Sequence, residues 1–290
     1  MAALRNEVIL TAVFGDHAER LDRSFTSFAH HTKAELHALV IGESLPKRRC
    51  GNVRYHLVAP DPTFGDAGPG QSGNDAESKF LLSYRNVCYR RWEYIDQLGA
   101  DYCLVVDGTD VLCLQDLPPV RELLRGAAVA ACVEHVSHYY LSGQGYTSNY
   151  LNAGVTFWDV AQSKQMRAEI LALGRSRLRC LGDDQWAFNE IVQARYYQDL
   201  AILPCQFNFR AYLGRPVPGW PSVAKLDGVR IYHCGDCIEK AVALPPVKGT
   251  AELVRQPPHP DPPARSLQFQ RPYRWVTYGT DGHGGPTVTS

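Results

Sequence analysis

Seven short apolar runs punctuate this chain: Val8 to Phe14, Leu36 to Ile41, Val53 to Val58, Tyr102 to Val106, Ala127 to Val133, Ala153 to Trp158 and Val229 to His233. Each has the length of a strand, and Leu36 to Ile41 and Val53 to Val58 are short and bounded by turn residues, as buried parallel strands are. Between them the period changes. Leu21, Phe25 and Phe28 fall at i, i+4, i+7. Leu81, Tyr84, Cys88, Trp92 and Ile95 form one stripe of a helix from Ser78 to Leu98, with Asn86, Arg90 and Glu93 largely off it. Ala161 to Leu173 and Gln185 to Ala194 read as further helices. Strands alternating with helices predict an α/β domain whose sheet is mostly parallel and flanked by helices.

The chain has 290 residues, which one such sheet with helices on both faces can occupy. Residues 1–245 are read as this domain. From 246 to 290 the composition turns to QPPHPDPPARSLQFQRPYRW and TDGHGGPTVTS, where Pro and Gly are expected to preclude regular structure. Thirty Lys and Arg balance thirty Asp and Glu, so no global field holds a polyanion, and nucleic acid is not expected as a partner. No apolar run approaches the roughly 20 residues that span a bilayer. The nine cysteines are scattered, several inside apolar runs where Cys acts as a small hydrophobe, which fits a reducing, cytoplasmic setting. Cys234 and Cys237 form a lone CxxC without the second ligand pair of a structural zinc site.

The run at Tyr102 to Val106 ends in Asp107-Gly108-Thr109-Asp110. Ligands of open α/β sheets bind at the carboxyl ends of strands, and two hard carboxylates three residues apart can straddle Mg²⁺ or Mn²⁺. The same residues also suit an ordinary type I turn, where Asp and Gly are common for conformational reasons. Upstream, Pro60 to Asn74 form a long loop rich in Gly, Pro, Asp and Ser, of a length that often carries function. Downstream, Asn152 and Gly154 open an apolar strand, where an amide can bind sugar hydroxyls and a glycine leaves room for a ring. Asp183, Asp184 and Gln185 precede a helix, so one Asp can serve as its N-cap while the other is left for chemistry.

Together these segments resemble the GT-A glycosyltransferases, with features shared by glycosyltransferase family 8 and by the glycosyltransferase domain of lysyl hydroxylases. VVDGTDVL has the Asp-x-x-Asp spacing of the latter. GPGQSGNDAESKF is similar to their Gly-rich loop followed by Lys, NYLNAGVTFW to their Asn-Ser/Ala-Gly-Val segment, LGDDQWAFNE to their Asp-Gln-x-x-x-Asn element, and IYHCGD to their late His-x-Gly element. The five elements, in the families' order, cover roughly residues 7 to 240.

The resemblance implies a metal-dependent transferase that moves a sugar, with retention, from a nucleotide diphosphate sugar, a uridine diphosphate sugar in particular, to an acceptor it does not name. It makes His233 the third ligand of Mn²⁺ or Mg²⁺ beside Asp107 and Asp110. It places Asp184 and Gln185, with Asp183 close behind, at the sugar and the developing positive charge. Donor contacts are implied for Thr11, Ala12 and Val13 of the first strand, with Asp16 near the ribose, and for Lys79, Thr109, Asn152, Gly154 and Gly235. Arg85 can counter diphosphate charge or be a solvated helix charge. Lys240 is a further phosphate contact, although the family's Lys-Pro-Trp ending is missing. His135, Tyr139 and Tyr140 suit an acceptor-side surface, since rings stack on sugar faces. A nucleotidyltransferase would need a basic Gly-rich loop after the first strand, which VFGDHAERL lacks. A catalytically silent nucleotide-sugar-binding protein is the other alternative, free to lose the acidic residues that are intact here.

Overall fold

A computed structural model of the protein describes residues 6–47, 49–64, 76–133, 150–176, 183–210 and 228–233, with short segments at 224–225, 252–253, 277–280 and 286–289. The elements run β1 (Glu7–Phe14), α1 (Asp22–His31), β2 (Glu35–Ile41), β3 (Val53–Val58), α2 (Ala76–Tyr94), β4 (Tyr102–Val106), β5 (Val111–Cys113) and α3 (Val120–Leu124). There follow β6 (Val129–Val133), β7 (Leu151–Asp159), α4 (Lys164–Ser176), α5 (Asp183–Arg195), β8 (Leu200–Leu203) and β9 (Phe209–Arg210). Beyond them lie β10 (Ala224–Lys225), β11 (Ile231–His233), β12 (Glu252–Leu253), β13 (Thr277–Thr280) and β14 (Pro286–Thr289).

The main sheet has seven strands in the order β3-β2-β1-β4-β7-β6-β8. Four of its pairings are parallel, and β7 lies antiparallel to both β4 and β6. The apolar runs of the inner strands now have their reason: successive side chains of a strand point to opposite faces, and both faces are covered there, whereas β3, expected to be buried, is a half-exposed edge strand with Leu57 44% exposed. Val8, Leu10 and Ala12 of β1, with Cys103 and Val105 of β4, meet Trp92 of α2, Ile170 of α4 and Phe188 of α5. Ile9 and Val13, with Leu104 and Val106, meet Phe25 and Phe28 of α1, Leu123 of α3 and Ile231 of β11 on the other side. The thiols of Cys88, Cys103 and Cys113 are free and buried within these layers.

Three expectations change. Helix α2 is not amphipathic with one solvated side, because it packs against β1 and β2 and also against α4 and α5. Arg85, Asn86 and Arg91 are therefore buried. The final core strand, β11, does not join the main sheet; it pairs antiparallel with β5 and parallel with β9 in a separate three-stranded sheet. Nor does the tail lack regular structure. Thr277–Thr280 pairs antiparallel with Pro286–Thr289, since Thr, Tyr and Val favour extended backbone and most of the glycines fall between the two strands.

Candidate functional site

Three registers bring the site together. Val106 of β4 lies opposite Val155 of β7, and the Asp107 N–H donates to the Gly154 carbonyl, so the exit of β4 runs directly beside Gly154. His233 pairs with Val111, the residue after Asp110. Its other neighbour in the small sheet is Arg210, which places Asn208 two residues away. The outcome is a cluster of Asp107, Asp110 and His233 whose ligand atoms lie within 4.8 Å of one another. His233 Nε2 stands 3.4 Å from Asp107 Oδ2 and 3.4 Å from Asp110 Oδ2. Two carboxylate oxygens and an imidazole nitrogen are a donor set for a divalent cation of the Mn²⁺ or Mg²⁺ kind.

Gly154 is the floor of this cluster. A Cβ there would sit 2.3 Å from Asp107 Oδ2 and 2.5 Å from His233 Cε1, so only the bare backbone lets the two ligands converge. Gly108 plays a similar part beneath the Asp107–Asp110 turn: its Cβ would lie 2.7 Å from Val13 Cγ1 and 3.1 Å from the Ala12 carbonyl. That turn is thus pressed onto the end of β1, where the buried Thr11 hydroxyl donates to the Val106 carbonyl at 3.0 Å.

Behind the cluster two buried guanidinium groups organise three carboxylates together with backbone carbonyls. Arg91 binds Asp107 Oδ1, donates to the Ala153 carbonyl at 3.1 Å and reaches Asp184 Oδ2 at 3.2 Å. One side chain therefore links the proposed metal carboxylate to the start of α5. Arg85 lies deeper, donating to Asp183 Oδ2 at 2.9 Å, to the Gly174 carbonyl at 2.6 Å and to the Phe64 carbonyl. Burial opposes the charge on Asp107, but the Arg91 guanidinium outweighs it and holds the carboxyl well below the usual range. Asp184 goes the other way. Burial, with the charges of Asp107 and Asp183, outweighs Arg91 and raises it to about 6.

Of the residues expected from sequence, the structure brings Asp107, Asp110, His233 and Gly154 into one cluster and sets Asp184 one guanidinium away. Asn152 and Gln185 are joined to each other, at 3.1 Å. Thr11, Ala12 and Val13 flank the metal turn, and Thr109 lies within it. Arg85 is neither solvated nor turned toward the cluster; it is fully buried against Asp183. The Lys79 and Asp16 side chains and residues Gly235, Lys240, His135, Tyr139 and Tyr140 lie outside the described residues, as do Cys234 and Cys237. Sequence reasoning did not single out Arg91 or Asn208. Arg91 sits among five other charged residues of α2, and Asn208 belongs to no motif, so neither carried a local signal.

A mostly parallel α/β sheet with a carboxylate, carboxylate and imidazole cluster at the exit of a central strand defines the class of this molecule. No family model and no curated protein sequence matches the chain. Among solved structures it is similar to the apo bifunctional glycosyltransferase WbbM, with 14% identity and a TM-score of 0.52 over 80% of this chain and 46% of that one. The chain thus spans about half the length of WbbM. It is also similar to the galactosyltransferase LgtC in complex with donor and acceptor sugar analogues, with 16% identity and a TM-score of 0.47 over 80% of this chain and 88% of LgtC. A third likeness is to the glycosyltransferase GlyE of Streptococcus pneumoniae TIGR4, with 17% identity and a TM-score of 0.44 over 71% and 47% of the two chains. At these identities the likeness is one of fold, and the fold is of the GT-A type. Among the described residues no helix is long and apolar enough to cross a membrane.

Proposed function

We propose that this protein is a metal-dependent glycosyltransferase that moves a sugar from a nucleotide diphosphate sugar, by the sequence resemblance a uridine diphosphate sugar, to a hydroxyl acceptor with retention. The observation that carries the reading is the convergence of Asp107, Asp110 and His233 over Gly154, with Asp184 tied to Asp107 through Arg91. A fold shared with WbbM, described as a bifunctional glycosyltransferase, supports it.

Asp107, Asp110 and His233 would hold Mn²⁺ or Mg²⁺, which when bound supplies positive charge to balance the leaving diphosphate. For retention the acceptor oxygen bonds to the anomeric carbon on the face from which the diphosphate departs, as the carbon–oxygen bond to the diphosphate breaks. The bonding pair leaves with the nucleotide diphosphate, whose oxygen takes up the hydroxyl proton. Asp184 would face the positive charge that develops on the sugar, a reading supported by the Arg91 side chain that binds both Asp184 and Asp107. Gln185 adds an amide to the same wall. The free buried thiols suit a reducing, cytoplasmic location.

A thermal-shift screen of nucleotide diphosphates and their sugars, with and without Mn²⁺, tests the reading, because a ligand of the native state alone raises the melting temperature. A metal-dependent rise for one nucleotide sugar is expected, and Asp110→Ala should abolish it while circular dichroism stays native. Unchanged metal-dependent donor affinity of Asp110→Ala in calorimetry would remove the metal role.

A further inference from the structure

We infer that Asn208 is the positioning residue that sets His233 for a divalent cation, relaying an orientation that begins at two backbone amides; the inference rests on the metal reading above. The hydrogen bonds admit one assignment. A peptide N–H can only donate, so the Asn152 side-chain atom 2.9 Å from the Gly154 nitrogen is its oxygen. The Ala153 N–H donates to Gln185 Oε1 at 3.1 Å, and the other end of the Asn152 amide faces that same oxygen at 3.1 Å, so it is the nitrogen. Two independent backbone donors therefore fix Asn152 in one orientation.

The consequence passes along the row. Asn152 Oδ1 needs a donor 2.7 Å away, which makes the Asn208 atom there Nδ2 and turns Asn208 Oδ1 toward His233. Asn208 Oδ1 in turn needs a donor, so His233 Nδ1, 3.0 Å away, carries a proton. In the neutral ring Nε2 then presents its lone pair to Asp107 Oδ2 and Asp110 Oδ2, both 3.4 Å away. Lone pairs from three atoms converging on one point repel unless a cation lies between them. Asn152, Asn208 and His233 are each 2% exposed, so water offers few competing partners and the relay is held as built. Asn208 begins this arrangement on the His233 side because the β9–β11 register sets it beside that ring.

The test uses the full chain and Mn²⁺ alone as the probe. Asn208→Leu leaves all three ligands in place and should weaken Mn²⁺ binding in calorimetry by about 10- to 100-fold, the usual cost of removing a partner that orients a metal-bound histidine. Nitrogen-15 spectra of the metal-free protein at alkaline pH should show the His233 proton on Nδ1 in the wild type and lose that preference in Asn208→Leu. Asn208→Asp keeps an acceptor for Nδ1–H while losing the donor to Asn152, so it should retain the tautomer yet bind Mn²⁺ more weakly than the wild type. These last two arms decide the matter even if Asn208→Leu does not fold. A wild-type His233 with its proton on Nε2, or Mn²⁺ affinity unchanged in the Asn208 variants, overturns the inference. A wild type with the Nδ1 tautomer that binds no Mn²⁺ overturns the metal reading instead.

Discussion

Gly154→Ala adds one methyl group and touches no ligand atom covalently, yet it should remove the metal site. The new Cβ would lie 2.3 Å from Asp107 Oδ2 and 2.5 Å from His233 Cε1, far inside contact distance for both. To restore ordinary contact the Asp107 carboxylate or the methyl must retreat by about 1 Å. Neither has room to do so freely. Asp107 is held by Arg91 and by the hydrogen bond from its own N–H to Gly154, and His233 is held by Asn208. Metal sites tolerate ligand displacements of about 0.2 Å, so a shift of this size should lower Mn²⁺ affinity by about 100-fold or more. Overpacking of this kind costs about 1–3 kcal/mol in stability, which should leave the protein folded. Calorimetric titration with Mn²⁺, alongside a thermal melt, reads both quantities. Gly51→Ala serves as the control, because nothing lies within 4 Å of a Cβ at that position. Wild-type Mn²⁺ affinity in Gly154→Ala would mean that Asp107 and His233 do not converge over this residue, and the site as described would be wrong.

The buried pair behind the site makes a separate prediction. Arg85→Gln strands the Asp183 carboxylate and should cost about 3–5 kcal/mol in chemical denaturation, while adding Asp183→Asn should recover part of that loss; strictly additive effects would refute the pairing. A third concerns pH. His37 Nδ1 and His56 Nε2 lie 2.8 Å apart, and Tyr94 Oη is 3.1 Å from His56 Nδ1. Burial first, with His56 and Arg54 for His37 and with Arg54 for His56, holds both imidazoles below their ordinary value of 6.5 against the pull of Glu35 on His37. The unfolded chain then binds more protons than the folded one, so stability contributed by this pair is complete above pH 6.5 and is lost as the pH falls below it. Denaturation midpoints at pH 7.5 and below should show this decline, and His37→Gln should flatten it; an identical slope in the variant would refute the assignment.

The sequence by itself determined the elements that bury a continuous run. Tyr102 to Val106 forms a strand with the bounds expected and delivers Asp107 to the end of a buried strand as read, because apolar periodicity is a local property and both faces of that strand are dry; Val53 to Val58 also has the bounds expected, but as a half-exposed edge strand. The Asp107 and Asp110 pair was legible for the same reason: both carboxylates lie within one turn. Burial of the charges on α2 was not legible. Whether Arg85 and Arg91 meet solvent depends on α4 and α5, segments some 75 to 100 residues away that cover the helix's second side. The residues that complete the site are equally non-local. His233 reaches Asp107 through the β5–β11 register, and Asn208 reaches His233 through the β9–β11 register. Arg91 finds Asp184 only when α2 and α5 pack on the same face. Composition and spacing choose which segments are strands and helices; which lone polar side chains meet is decided by how those segments are paired, because a register is a property of two strands and neither carries it alone.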